Sequence, residues 1–416
     1  MKFGGRILEQ AEALGKLSED DGRLTRTYLT AKHREAGELI AVWMREAGMQ
    51  AGFDAMGNVV GRYAGAQAGG PSLITGSHMD TVVDAGKYDG IFGILSPIAC
   101  VRELHARGKR LRFTVEVVAF GDEEGVRFGV TLLGSRALAG RFDPRDLDAK
   151  DRDGITLREA LVAFGCDPDA IASLARDPSE VVAFIESHIE QGPVLLDEGR
   201  AVGIVTAIAG VTRVRARVTG VAGHAGTVPM WGRRDALAAA AEMALLVERY
   251  CAMRSEELVG TVGRFAVSGG GAINVIPGKA EFTVDLRSGV DASRRRAAVS
   301  LEAECQAIAA RRRVELEWDR FFELDCAPCD PALQATLAGS VAAKGIEARF
   351  LRSGAGHDAM EFSHRVPTAM LFVRCGNGGI SHNPREIMSA EDAEVATEVL
   401  LDCFERLDAA AGRAPP

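Results

Sequence analysis

Apolar and polar positions alternate along this chain with two periods, and the balance between them changes partway. Residues 38–47 carry apolar side chains at helical spacing, with Gly48 placed as a stop. Residues 58–63 read as a strand, and residues 71–77 as a short buried strand running into a loop. A long helical stretch covers residues 91–107, and a strong strand covers 112–120. Strands alternating with helices predict a mostly parallel α/β sheet. Such sheets bind ligands beyond the carboxyl ends of their strands.

Near residue 209 the pattern changes. Residues 212–218 alternate with period two, as in a strand with one solvated face. An alanine-rich helix (234–250), two strands (260–267 and 280–286), a helix (294–311) and a further alternating segment (313–318) follow. These elements predict a small α/β sandwich. After about residue 325 the first style returns, with a helix at 331–345 and a strand at 368–373. The expected organisation is a discontinuous domain, residues 1–208 and 325–416, carrying an inserted domain at 209–324. A length of 416 residues agrees with this, since single cores stop growing at roughly 250–300 residues.

Composition narrows the class. Hydrophobic residues make up 47% and charged residues 26%, an ordinary globular balance. The net charge of −9 argues against a nucleic-acid partner, while an anionic small molecule needs only one or two arginines. The eight cysteines are scattered and do not form a disulfide framework. Cys326 and Cys329 make a C-x-x-C pair, but with no second pair nearby they read as two loop thiols. The stretch 7–17 is broken by Glu9, Gln10, Glu12 and Lys16, so no signal peptide is expected. No run approaches the roughly 20 apolar residues of a membrane span. A cytoplasmic protein with no membrane partner is the expectation.

Five clusters carry possible chemistry. In Gly76-Ser77-His78-Met79-Asp80 a histidine leaves a strand end, and a carboxylate two residues on is placed to fix its tautomer. Taken alone, His78 is also readable as a loop histidine. In Lys87-Tyr88-Asp89-Gly90 the aspartate either bridges two cations or caps the following helix. In Gly121-Asp122-Glu123-Glu124-Gly125, three successive acids repel one another unless a metal centre offsets them; the other reading is a solvated acidic loop. With a metal present, one glutamate could ligate while its neighbour serves as general base. The fourth and fifth clusters are Glu186-Ser187-His188-Ile189-Glu190-Gln191, after a strand at 181–185, and Ser381-His382-Asn383-Pro384-Arg385-Glu386. Together they bring three histidines and two or three carboxylates to predicted strand ends of one sheet. That donor set suits Zn²⁺, Mn²⁺ or Co²⁺.

These residues resemble the landmarks of the dinuclear-metal aminoacylase and carboxypeptidase G-type peptidases. Within them the chain is most similar to the hydantoinase/carbamoylase branch, which holds N-carbamoyl-L-amino acid hydrolases, allantoate amidohydrolases and β-ureidopropionases. The resemblance runs from His78 to Pro384 in the expected order. It implies a zinc-peptidase-like catalytic domain with a mixed sheet, plus the inserted α/β sandwich as a dimerisation and lid domain. It also implies two divalent ions per subunit held by His78, Asp89, Glu124, His188 and His382. Asp89 would bridge them, with Glu123 as general base and Asp80 orienting His78. His188, where peptidase branches carry a carboxylate, favours the amidase branch.

In the inserted segment, Gly223-His224-Ala225-Gly226-Thr227, Ile273-Asn274-Val275 and Asp285-Leu286-Arg287 resemble the substrate-contacting segments of the family. The resemblance implies that His224, on a segment that reaches into the active site of a partner subunit, stabilises an oxyanion, that Arg287 holds a substrate carboxylate, and that Asn274 bonds the same group or a neighbouring amide. Gln191 and Gly356, the latter in Ser353-Gly354-Ala355-Gly356-His357-Asp358, are implied as substrate contacts. His357 either contacts substrate or braces its loop. His33, His105 and His364 match no landmark and are taken as structural. The implied activity is hydrolysis of the carbamoyl or ureido C–N bond of a small carboxylated substrate by a homodimer. N-carbamoyl-L-amino acids come first, with allantoate or β-ureidopropionate as alternatives; an aminoacylase or dipeptidase fits less well.

Overall fold

The computed structural model describes residues 2–67, 69–267 and 272–412. Its strands in chain order are Gln50–Phe53 (β1), Val59–Tyr63 (β2), Ser72–His78 (β3), Thr114–Phe120 (β4), Val181–Ile189 (β5), Val202–Ile208 (β6), Gly210–Thr219 (β7), Gly223–His224 (β8), Val259–Val267 (β9), Val275–Ile276 (β10), Lys279–Ser288 (β11), Glu315–Leu324 (β12), Ala327–Pro328 (β13), Phe350–Ser353 (β14) and Thr368–Val373 (β15). The chain divides into two compact units.

The first unit comprises Met1–Thr206, Pro328–Leu351 and Ala355–Pro416. Its sheet runs β1-β2-β4-β3-β5-β15-β6, with the short β13 and β14 beyond. The four central strands, β4, β3, β5 and β15, are mutually parallel. Antiparallel β2 and β6 flank them, so the sheet is mixed. Parallel strands covered on both faces must be largely apolar, and every residue of β3 and β15 is buried.

Helix Ile91–Ala106 is buried on nearly all sides and lies on this sheet. A Cβ added at Gly93 would come within 2.3 Å of the Ser187 carbonyl oxygen and 2.5 Å of Ser77 Cβ. The missing side chain therefore lets the helix sit directly on β3 and β5. Helices Gly4–Gly15 and Ala390–Ala411 close the core around it. A second apolar cluster, including Tyr28, Phe128, Leu133, Leu157 and Phe164, fills the long connection between β4 and β5. His33 is fully buried there, edge-on to Tyr28 and tilted against Phe164.

The second unit comprises Ala207–Ala327 and Arg352–Gly354. Its antiparallel sheet has the order β12-β7-β11-β9. Val214, Ala216 and Val218 of β7 turn inward toward helices Ala236–Ala252 and Asp291–Arg312. Arg213, Arg215 and Arg217 occupy the alternate positions and pair with Asp285, Asp319 and Glu281 across the strands. Residues 352–354, expected with the first domain, join this unit instead. Ala209 N–H donates to the Ser353 carbonyl and Arg287 Nη1 to that of Gly354.

All eight cysteines are free thiols. Among the described residues no helix is long and apolar enough to cross a membrane.

Candidate metal centre

The carboxyl ends of β4, β3, β5 and β15 lie side by side, and each delivers chemistry. His78 is the last residue of β3, and Glu123 and Glu124 follow the end of β4. His188 lies within β5, opposite Phe372 of β15. The sequence pattern ends that strand at residue 185; its last four residues include three polar ones, yet all four are buried and stay in the strand. His382 follows β15 and sits at φ 53°.

Asp89 precedes helix Ile91–Ala106 without capping it, since Gly90 is the N-cap and no side chain bonds there. Gly90 has φ 67°, and an added Cβ would meet the His78 carbonyl oxygen at 2.3 Å and the His78 ring at 2.7 Å. Only glycine lets the Asp89 loop pass that close to His78.

The Asp89 carboxylate is the centre of the arrangement. Its Oδ1 lies 3.6 Å from His78 Nε2 and 3.2 Å from His188 Nε2. Its Oδ2 lies 3.1 Å from His382 Nε2, which is 3.4 Å from Glu124 Oε1. Among the described residues four donor groups result: His78 with Asp89 and His188, His78 with Glu123 and Glu124, Asp89 with Glu124 and His382, and Glu186 with His188 and His357. Donor atoms within each group lie within 4.8 Å of one another.

The tautomers show what such a group can hold. His78 Nδ1 faces the Asp80 carbonyl at 3.0 Å and His188 Nδ1 faces the Ile189 carbonyl at 2.9 Å. In the neutral rings Nδ1 therefore carries the proton, and Nε2 presents a lone pair. Two imidazole lone pairs thus converge on Asp89 Oδ1, which is buried with no hydrogen-bond partner among the described residues. Lone pairs meeting a carboxylate oxygen repel unless positive charge lies between them, and a divalent cation fits that need.

The electrostatics show how much negative charge gathers around these rings. Burial lowers the His78 pKa, but Asp89, Glu123 and Asp80 raise it well above the usual value. Burial pushes Asp89 up, and His188, His382 and His78 more than reverse this, holding it well below the carboxylate range. Glu123 is pushed well up by burial, against His78, and Glu124 is pushed up to about 7, chiefly by burial.

Asp80 serves different atoms from those expected. Its main-chain carbonyl holds His78 Nδ1, while its carboxylate lies 3.8 Å from that nitrogen. The carboxylate oxygens accept the N–H groups of Glu123 at 3.1 Å and Glu124 at 3.2 Å. The Asp80 carbonyl thus takes the ring, and its side chain fixes the acidic loop instead.

Gln191, at φ 56°, donates from Nε2 to Asp89 Oδ2 at 3.0 Å. A Cβ on Gly356 would lie 3.9 Å from Glu123 Oε1, so this glycine borders the carboxylate. His357 is buried edge-on against His188, with ring centroids 4.5 Å apart, and burial holds its pKa well below the usual value.

Two buried glutamates carry no signal of their role in the sequence. Glu186 accepts the Ser77 hydroxyl at 2.6 Å and the Ala359 N–H at 2.9 Å. Glu386 accepts the N–H groups of Tyr88 and Asp89 and the Ser381 hydroxyl. Both stand inside the marked clusters, but most of their donors lie far along the chain and leave no local trace.

In the second unit, His224 of β8 pairs with Val275 of β10. Its Nδ1 accepts the N–H groups of Gly226 at 3.0 Å and Thr227 at 3.2 Å, so its exposed ring donates from Nε2. Asn274 is exposed, and its carbonyl accepts from Ala225 N–H. Arg287 is held from one side by Asp285, through Nε at 2.7 Å and Nη2 at 3.3 Å, and by the Gly354 carbonyl at 2.6 Å.

The signature of Peptidase family M20/M25/M40 matches residues 74–406. The chain is 40% identical to allantoate deiminase 2 of Glycine max, over 95% of this chain and 87% of the relative. It is 39% identical to the N-carbamoyl-L-amino acid amidohydrolase of Geobacillus stearothermophilus, over 95% and 97%. Its structure superposes with TM-score 0.91 on a hydantoinase/carbamoylase family amidase from Burkholderia multivorans, at 34% identity over 97% of each chain. The fold extends to a dinuclear metal binding M20 peptidase of Bacillus subtilis, at TM-score 0.63 and 16% identity over 97% of each chain. With a signature that spans most of its length and near-complete relatives at such identity, the chain belongs to Peptidase family M20/M25/M40.

Proposed function

We propose that the chain is a metal-dependent amidohydrolase that breaks the carbamoyl or ureido C–N bond of a small carboxylated substrate, N-carbamoyl-L-amino acids first. The observation that carries this reading is Asp89, whose two oxygens face two separate donor groups. His78, His188 and Asp89 Oδ1 would hold one divalent ion, and Asp89 Oδ2, Glu124 and His382 the other, with Zn²⁺, Mn²⁺ and Co²⁺ all suited. When bound, such ions polarise a carbonyl and lower the pKa of water.

The side chains do the rest. Glu123 takes the proton of the attacking water at its carboxylate and passes it to the departing nitrogen. Asp80 keeps Glu123 and Glu124 in register through their N–H groups. His224 donates from Nε2 to the carbonyl oxygen as negative charge grows there. Arg287 and Asn274 bind the substrate carboxylate, and Asp285 holds the guanidinium ready for it. Gln191 and Gly356 border the reacting group. A C–O bond forms and the C–N bond breaks; an N-carbamoyl amino acid yields the amino acid, carbon dioxide and ammonia. The working form is a cytoplasmic homodimer, with the second unit as dimerisation and lid domain.

Allantoate is the second reading, favoured by the 40% identity to allantoate deiminase 2. The test is ammonia release by Mn²⁺-loaded protein from several N-carbamoyl-L-amino acids, their D forms, β-ureidopropionate and allantoate. An N-acetyl amino acid, followed by amine release, is the control. Turnover of the L-carbamoyl compounds is expected. Preference for allantoate keeps the mechanism and changes the substrate, and turnover of the N-acetyl compound alone overturns the reading.

A further inference from the structure

One buried carboxylate next to the metal centre faces no proposed ion, yet it ties two of the ligand segments together. Glu386 is 1% exposed and sits four residues after His382. Its Oε1 accepts the N–H of Tyr88 at 2.8 Å and of Asp89 at 3.2 Å. Its Oε2 accepts the Ser381 hydroxyl at 2.7 Å. The same hydroxyl oxygen lies 3.1 Å from Asp89 Oδ2.

A serine hydroxyl has one proton to give, and here two carboxylates face it. The shorter contact assigns that proton to Glu386. Asp89 Oδ2 then keeps a lone pair free toward His382 and Glu124. The loop is shaped for this seat: a Cβ on Gly86 would lie 2.2 Å from Glu386 Cδ and 2.3 Å from Oε1. With a side chain at position 86, Glu386 could not occupy its place.

We propose that Glu386, seated against Gly86, is a positioning residue for the second cation site, the one formed by Asp89 Oδ2, Glu124 and His382. It fixes the Asp89 backbone through two N–H groups and fixes Ser381, the neighbour of His382, through its hydroxyl. One residue therefore sets the spacing between two ligands that are 293 positions apart in the chain (89 to 382). The other cation site shares Asp89 but draws its remaining donors from His78 and His188, which Glu386 does not touch, so it depends on Glu386 less. This inference rests on the two-ion reading given above.

The experiment titrates the metal-free full chain with Mn²⁺ alone and counts ions and affinities. The wild-type chain, Glu386→Ala and Gly86→Ala are compared, with His382→Ala as reference for a damaged second site. Gly86→Ala matters because it leaves the carboxylate chemically intact and attacks only its seat. The wild type is expected to take two ions. Both variants should hold one ion with at most a small loss of affinity and bind the other about 10- to 100-fold more weakly, as loss of a partner that orients a metal ligand does. Two ions at unchanged affinity in both variants would overturn the role of Glu386. Equal weakening of both ions would also overturn it, because that marks a general structural defect. A wild-type chain that takes fewer than two ions overturns the two-ion reading itself.

Discussion

The two units present functional side chains in opposite ways. In the first, His78, Asp89 and His188 are buried, and among the proposed ligands only His382 is exposed. Each of the three buried ones is fixed by further partners: carbonyls hold the two imidazoles, and Gln191 and Glu386 hold Asp89. In the second, His224 and Asn274 are exposed at a short two-stranded sheet, and Arg287 keeps part of its guanidinium open. Buried donors with no slack suit a fixed pair of charges, where small displacements cost most. Exposed donors steadied from one side suit a partner that comes and goes. Apart from His224, whose proposed role lies in turnover, the contrast separates residues expected to govern turnover from those expected to govern substrate binding.

The largest effect tests the buried side. Glu123→Gln should lower kcat by about 10²- to 10⁴-fold while Mn²⁺ stoichiometry stays at the wild-type value. If an ion is lost instead, Glu123 is a ligand, and the His78–Glu123–Glu124 group is the true cation site.

An intermediate effect tests the exposed side. Arg287→Ala should reduce kcat/KM for carboxylated substrates about 10- to 100-fold, the equivalent of a charged hydrogen bond. The loss should fall mainly on KM, and a substrate amide in place of the carboxylate should show little difference between the two proteins. Unchanged kinetics would remove Arg287 from substrate binding and blur the division between the units.

The smallest effect concerns stability away from both sets of residues. Burial lowers His33 to about 3, so the folded chain keeps this imidazole neutral. The unfolded chain protonates it below about pH 6.5. Between those values the unfolded state binds more protons. Its contribution is thus intact above about pH 6.5 and is lost as pH falls. Urea unfolding at pH 7.5 and pH 5 should show His33→Phe losing less stability than wild type over that interval, by about 2 kcal/mol. Equal losses in the two proteins would place a charge or a water beside His33.

How far the sequence could be read depended on the range of the interaction. The strand at Thr368–Val373 was legible to the residue, because its unbroken apolar run after one threonine suits the middle of a covered parallel sheet, where all six positions are buried. The helix read over 38–47 in fact begins at Ala31, capped by the Thr30 side chain, and its early turns bury His33, Ala36 and Gly37, which carry little hydrophobic signal. Strand β5 was cut short for a related reason: Glu186, Ser187 and His188 are polar by type but buried by position.

The candidate ligands were visible as histidines and acids at strand ends, and the structure brings His78, Asp89, Glu123, Glu124, His188 and His382 together. What joins them was not visible. Asp80 to the Glu123 and Glu124 amides, Glu186 to the Ala359 amide, and Glu386 to those of Tyr88 and Asp89 are contacts between a side chain and distant backbone. Backbone N–H groups are the same at every non-proline position, so no residue type announces such a partner.

The stretch from Gly86 to Gly93 bears on how this protein can be altered. Three of its glycines stand against Glu386, His78 and the β3–β5 surface, with no space for even a methyl group. In a library built to change substrate preference, positions 86, 90 and 93 would be silent losses, since every substitution there displaces a neighbour before any new chemistry is sampled. Diversity is better placed on the exposed segments around His224 and Asn274, where side chains can change without moving a neighbour in the core.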